Sequence, residues 1–117
     1  MRAFGLAFLL AACVSAGEPT VLIDTRAPGA SELARARGGE FVCVTGTLHV
    51  VGGNAHFSFV PSPPPGLVDL YNNKVFVQPQ GSARRRALLN GDTPTFCGEL
   101  SHADYHGSFD LRAVRAE

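Results

Sequence analysis

Four histidines, three cysteines and a run of three arginines are the side chains of this 117-residue chain with the clearest chemical potential. If Gly52-Gly53 is a two-residue hairpin turn, residues whose numbers sum to 105 face each other, which sets His49 opposite His56. His102, Asp104 and His106 fall at alternate positions of an extended segment, so two imidazoles and a carboxylate share one face. Imidazole with carboxylate suits zinc or copper, and His49, His56, His102 and His106 form a candidate metal set if both pairs converge on one rim. The plainer reading is four histidines on solvent faces. Arg84, Arg85 and Arg86 could hold phosphate or lipid headgroups, but three consecutive helical residues point in different directions and make no single patch. No nucleophile elbow, carboxylate pair or Cys-x-x-Cys motif is visible, so the expectation is a non-catalytic protein without a cofactor.

The elements that must carry these residues are mostly strands. From Glu40 the pattern has period two: Val42, Val44, Leu48 and Val50 fall on one face, Cys43, Thr45, Thr47 and His49 on the other. Gly46 interrupts this β-branched run, as at a bulge or sharp bend. Phe57 and Phe59 alternate in a second strand after the Gly52-Gly53 turn. The segment 61–66 holds four prolines and reads as a rigid extended loop, residues 67–71 are ambiguous, and 74–78 is a third strand. Residues 82–90 have the composition of a helix capped by Ser82 and closed by Asn90-Gly91. Strands four and five follow at 95–100 and 108–114. Upstream, Ser31–Arg37 reads as a one- to two-turn helix stopped by Gly38-Gly39, and Val21–Ile23 as an edge strand at the end of a tether over 13–30.

Composition narrows the class. Ten basic and ten acidic residues cancel and there is one lysine, so a nucleic-acid surface is not expected. With 45% hydrophobic and 17% charged residues the chain is too apolar to remain disordered. No apolar run reaches the roughly 20 residues that span a bilayer.

The N-terminus has Arg2, an apolar stretch over 3–12 and small residues after it, the layout of an export signal. Cleavage after Ala16 would release a soluble periplasmic or secreted chain. The segment Leu10-Ala11-Ala12-Cys13 resembles the lipobox of bacterial lipoproteins. That resemblance implies removal of 1–12, acylation of Cys13, including a palmitate-type chain, and a membrane partner reached through the lipid anchor. Val14 after the cysteine is compatible with outer-membrane sorting. Either cleavage takes Cys13 out of the thiol count and leaves Cys43 and Cys97 as an even pair, which an oxidising compartment allows to bridge.

Three strands, a helix and two strands is the element order of the five-stranded OB barrel. Phe41–Leu48, Phe96–Leu100 and the approach Leu88-Leu89-Asn90-Gly91 resemble strands one and four of OB-like domains and the turn into strand four. The expected fold is therefore mainly β: an OB-like barrel over residues 31–117 with one short helix between strands three and four, or a small β-sandwich as the alternative. In the barrel, strands one and four are antiparallel neighbours. Cys43 and Cys97 both lie on the side opposite the valine and phenylalanine face, as a cross-strand disulfide needs. The resemblance also implies a ligand groove over strands two and three, with His56, Ser58, Lys74, Phe76 and Gln78 as candidate contacts. The functional expectation is an exported envelope protein acting as a binding or structural module for an envelope protein or small ligand. A metal-binding periplasmic protein is the second reading.

Overall fold

In the computed structural model, residues 20–59 and 71–117 are described. The export signal, Cys13 and the proline-rich loop over 61–66 lie outside the described residues. The fold is mainly β. Seven strands, β1 (Leu22–Asp24), β2 (Phe41–Thr45), β3 (Leu48–Val51), β4 (Asn54–Ser58), β5 (Lys74–Pro79), β6 (Thr95–His102) and β7 (Phe109–Ala116), form one sheet in the order β1-β2-β6-β7-β5-β4-β3. β1 with β2 and β5 with β7 run parallel, and the other neighbours are antiparallel. Two packed sheets, the sandwich alternative, are not formed among the described residues.

β2 and β3 are separated by two residues yet lie at opposite ends of the six-strand run that starts at β2. The sheet therefore curls round on itself into a half-barrel. The bend falls at Gly46, which is fully enclosed: a Cβ there would collide with the Thr25 hydroxyl and press on Phe57. Gly46 thus splits what reads in sequence as one strand, and that split together with β1 raises the expected five strands to seven. β1 also moves the start of the folded unit from residue 31 to about 22, since Ile23 and Thr25 are completely buried and Thr25 bonds to the Thr45 carbonyl through both its N–H and its hydroxyl.

Alternation along the strands fills the inside of the curl. Ile23, Val42, Val44, Leu48, Phe57, Val75, Phe96, Leu100 and Leu111 have no exposed surface, and Phe109 is 2% exposed. The α-helix α1 (Ala30–Ala36) adds Ala30 and Ala34 to this core. It starts one residue before the expected Ser31, from a left-handed Gly29, and its last-turn carbonyls accept from the Arg37 N–H.

The helix expected over 82–90 is instead a single 3₁₀ turn, Gly81–Arg85, followed by extended chain. A nine-residue helix is marginal without tertiary support, and the tertiary contacts here favour another conformation. Ser82 donates its hydroxyl to the Val114 carbonyl rather than capping a helix. Leu48 exchanges backbone bonds with Gly91 and Asp92, and the Asn90 side chain accepts from the Val50 N–H. Segment 90–92 thereby lies along the outer edge of β3. Without that helix the arginines are held by other contacts: Arg84 bonds to the Pro79 carbonyl and Arg86 pairs with Asp92 at 2.7 Å.

Cys43 and Cys97 are register partners on β2 and β6 and are joined by a disulfide, with Cα atoms 4.0 Å apart. Both lie on the sheet face opposite Val42, Val44 and Phe96, under Arg115 and Glu117, and both are nearly inaccessible.

Candidate functional site

The outer, convex face of the sheet carries a continuous row of register partners: His49 on β3, His56 on β4, Phe76 on β5, Asp110 on β7 and Ser101 on β6. Paired residues point to the same side of a sheet. This row is therefore opposite to the neighbouring core row of Leu48, Phe57, Val75 and Phe109. The rings along it touch in sequence. His49 and His56 stack at 5.3 Å, and His56 meets Phe76 edge-on at 6.2 Å.

Two loop tyrosines extend the row. Tyr71 and Tyr105 stack on each other at 4.8 Å, and both lie beside Phe76, at 6.5 and 6.0 Å. They meet because the chain before β5 is bonded to the β6–β7 turn. The buried Ser108 hydroxyl donates to the Tyr71 carbonyl and accepts from the Lys74 N–H, while the Asn73 N–H donates to the His106 carbonyl. Gly107 makes this approach possible: its φ is +67° and any Cβ would strike the Asn73 side chain.

His56, Tyr71, Phe76, Gln78, Tyr105 and Asp110 together line an open groove of about 430 Å³. Its electrostatics are those of a weakly acidic site. Burial, then the nearby charges of His49 and Lys74, lower the His56 pKa to about 4, so this imidazole is neutral at pH 7. Burial and then the Asp104 carboxylate push the Asp110 carboxyl above its usual range. Gln78 donates from Nε2 to Asp110 Oδ1 at 3.3 Å, which orients the carboxylate.

Three of the five contacts expected on strands two and three, His56, Phe76 and Gln78, line this groove. Ser58 and Lys74 pair with each other one step along the same face, outside it. Tyr71, Tyr105 and Asp110 escaped the sequence reading. Asp110 was within reach, because its place between Phe109 and Leu111 puts it on the outer side of a strand next to strand three. The tyrosines carry no such signal, since their meeting depends on the Ser108 and Asn73 contacts.

The four-histidine metal set is not assembled. His49 and His56 lie together, but His102 is the register partner of Phe109 and so belongs to the core-row side, where it packs on Phe109 at 5.0 Å and against Gly38. His106 is in the β6–β7 turn and serves through its backbone carbonyl. Alternation across a pleated sheet puts the His102 side chain on the opposite face from His49 and His56. Among the described residues, the three-ligand grouping of His, Cys, Asp or Glu that does occur is Cys43, Cys97 and Glu117, whose sulfurs are already bonded to each other.

Comparison of the chain with protein-family models, curated proteins and solved structures finds no match, so the site is read from its own geometry.

Proposed function

We propose that this chain is an exported, non-catalytic binding module of a bacterial cell envelope, built on an OB-like barrel and binding its ligand in the Tyr71–Phe76–Tyr105 groove. The observation that carries the reading is the groove itself. Aromatic rings on the outside of a sheet gain nothing for the core, and here two exposed tyrosines cluster on the half-buried Phe76 beside an oriented Gln78–Asp110 pair. Concave apolar sites with a few placed polar groups are the usual form of a ligand site.

The OB-like reading has support in the strand order. Counting β2 and β3 as one strand bent at Gly46, and setting β1 aside, the order becomes one-four-five-three-two-one, with strands three and five parallel. The groove then lies over strands two and three. The envelope address rests on Leu10-Ala11-Ala12-Cys13, and an anchor at Cys13 would be joined to the domain by only a short tether. No helix of the described residues is long and apolar enough to cross a membrane.

Two experiments test the two halves of the reading. Metabolic labelling with a fatty acid labels the wild-type protein and not Cys13→Ser; unlabelled wild type overturns the anchor. Backbone NMR spectra recorded against a library of sugars, amines, guanidines and short peptides show shifts centred on His56, Phe76, Gln78 and Asp110. Absence of any ligand that perturbs these signals overturns the binding module.

A further inference from the structure

We propose that the groove binds a guanidinium group, stacked on the exposed tyrosine pair and forked onto the Asp110 carboxylate, as an arginine side chain of a partner peptide would be. This inference rests on the binding-module reading and names the ligand chemistry of that same groove.

Charge selects the sign of the ligand. Among the described residues no lysine or arginine lines the groove, and His56 is neutral there. Lys74 and Arg112 share the outer face and border the groove without lining it; Arg112 has both Glu99 and Gln78 as register partners, and Lys74 lies beside His56. The four ion pairs among the described residues engage Asp24, Glu40, Asp92 and Glu117; none engages Asp104 or Asp110. The Asp104 carboxylate adds to burial in raising the proton affinity of Asp110, so the negative potential at Asp110 favours a positive ligand and disfavours phosphate.

Shape selects the kind of cation. Tyr71 and Tyr105 are nearly parallel, 21° apart at 4.8 Å, which closes the space between them and leaves flat outer faces, each ring about half exposed. That arrangement is not a cage for a bulky quaternary ammonium. A planar guanidinium stacks on such a face and at the same time presents parallel N–H donors to a carboxylate. Gln78 occupies Asp110 Oδ1, and Oδ2 has no hydrogen-bond partner among the described residues. Phe76 offers an apolar surface for the methylene stem of the side chain.

The chain has two tyrosines and no tryptophan, and both tyrosines line the groove, so its intrinsic emission reports on this site alone. Full-length protein is titrated with acetyl-Gly-Arg-Gly-amide, the citrulline counterpart, methylguanidinium and a neutral disaccharide. The arginine peptide gives a saturable emission change with Kd on the order of 1 mM or tighter, about tenfold weaker for the citrulline peptide and for Asp110→Asn. Circular dichroism of Asp110→Asn matches wild type, and raising salt weakens binding. A peptide that binds at least about tenfold more tightly than methylguanidinium assigns the ligand to a polypeptide side chain, and equal affinity assigns it to a small guanidino compound. No saturable response to the arginine peptide, or equal binding of the citrulline peptide, overturns the inference. A response to the disaccharide alone overturns it too, while leaving the binding-module reading in place.

Discussion

Removing the Cys43–Cys97 bridge is the perturbation whose magnitude follows most directly from the structure. The two residues are 54 positions apart, and closing a loop of that length removes about 4 kcal/mol of denatured-state entropy at 25 °C in the loop-closure model. In the double variant Cys43→Ala with Cys97→Ala, loss of the completely buried Cys97 sulfur adds about 1 kcal/mol. A domain of this size is stable by about 5–10 kcal/mol, so the unbridged form should lie near its folding threshold. Urea denaturation followed by circular dichroism, on oxidised wild type and on the double variant, measures both the midpoint and the slope. The expected result is a loss of about 4–5 kcal/mol together with a steeper slope, because an unbridged denatured chain exposes more surface. A loss below about 1 kcal/mol with an unchanged slope would falsify the argument that the bridge acts through the unfolded chain.

Three further outcomes are expected. Because the folded-state pKa of His56, about 4, lies below the unfolded value of about 6.5, the unfolded chain binds the extra proton between those pH values. Stability therefore falls as pH drops through that window, by about 1 kcal/mol once solvent screening at this part-exposed site is allowed for, and His56→Phe flattens the pH dependence of the melting temperature. An unchanged pH slope in His56→Phe would mean that other groups set it. Gly46→Ala forces a Cβ against the Thr25 hydroxyl and costs about 3 kcal/mol. Adding Thr25→Ala recovers at least about 1 kcal/mol relative to additivity, and strict additivity in a double-mutant cycle counts against the contact. Leu111→Ala empties a fully enclosed position for about 3 kcal/mol, whereas Leu89→Ala, at 57% exposure, changes stability by less than about 0.5 kcal/mol. Denaturant titration distinguishes the two, and equal effects would show the burial pattern to be wrong.

Much of the sheet was legible because alternation is a local property. The period-two pattern places Val42 and Val44 on one side and Cys43 on the other, and the Gly52-Gly53 turn sets His49 against His56, as the register has it. What misled was composition read without neighbours. Residues 82–90 have helix formers and a serine cap, but the β3 edge offers Leu48 and Val50 as partners for 90–92, and those bonds prevail over a weak helical preference. Likewise the spacing of His102 and His106 suggested a ligand face, yet register puts His102 on the Phe109 side of the sheet, away from His49 and His56.

The sequence by itself determined the strand-rich class, the faces of the strands and the presence of two cysteines suitably placed for one bridge, since each follows from residue type and parity along the chain. Tertiary structure alone decided that the interruption at Gly46 divides the strand and carries its halves to opposite ends of a curled sheet, and that Tyr71 and Tyr105 stack over Phe76 beside Asp110. The reason is that both outcomes rest on contacts between distant segments. Thr25 lies against Gly46 from 21 residues away, and Ser108 and Asn73 join two loops more than 30 residues apart, so neither contact can be read from local pattern.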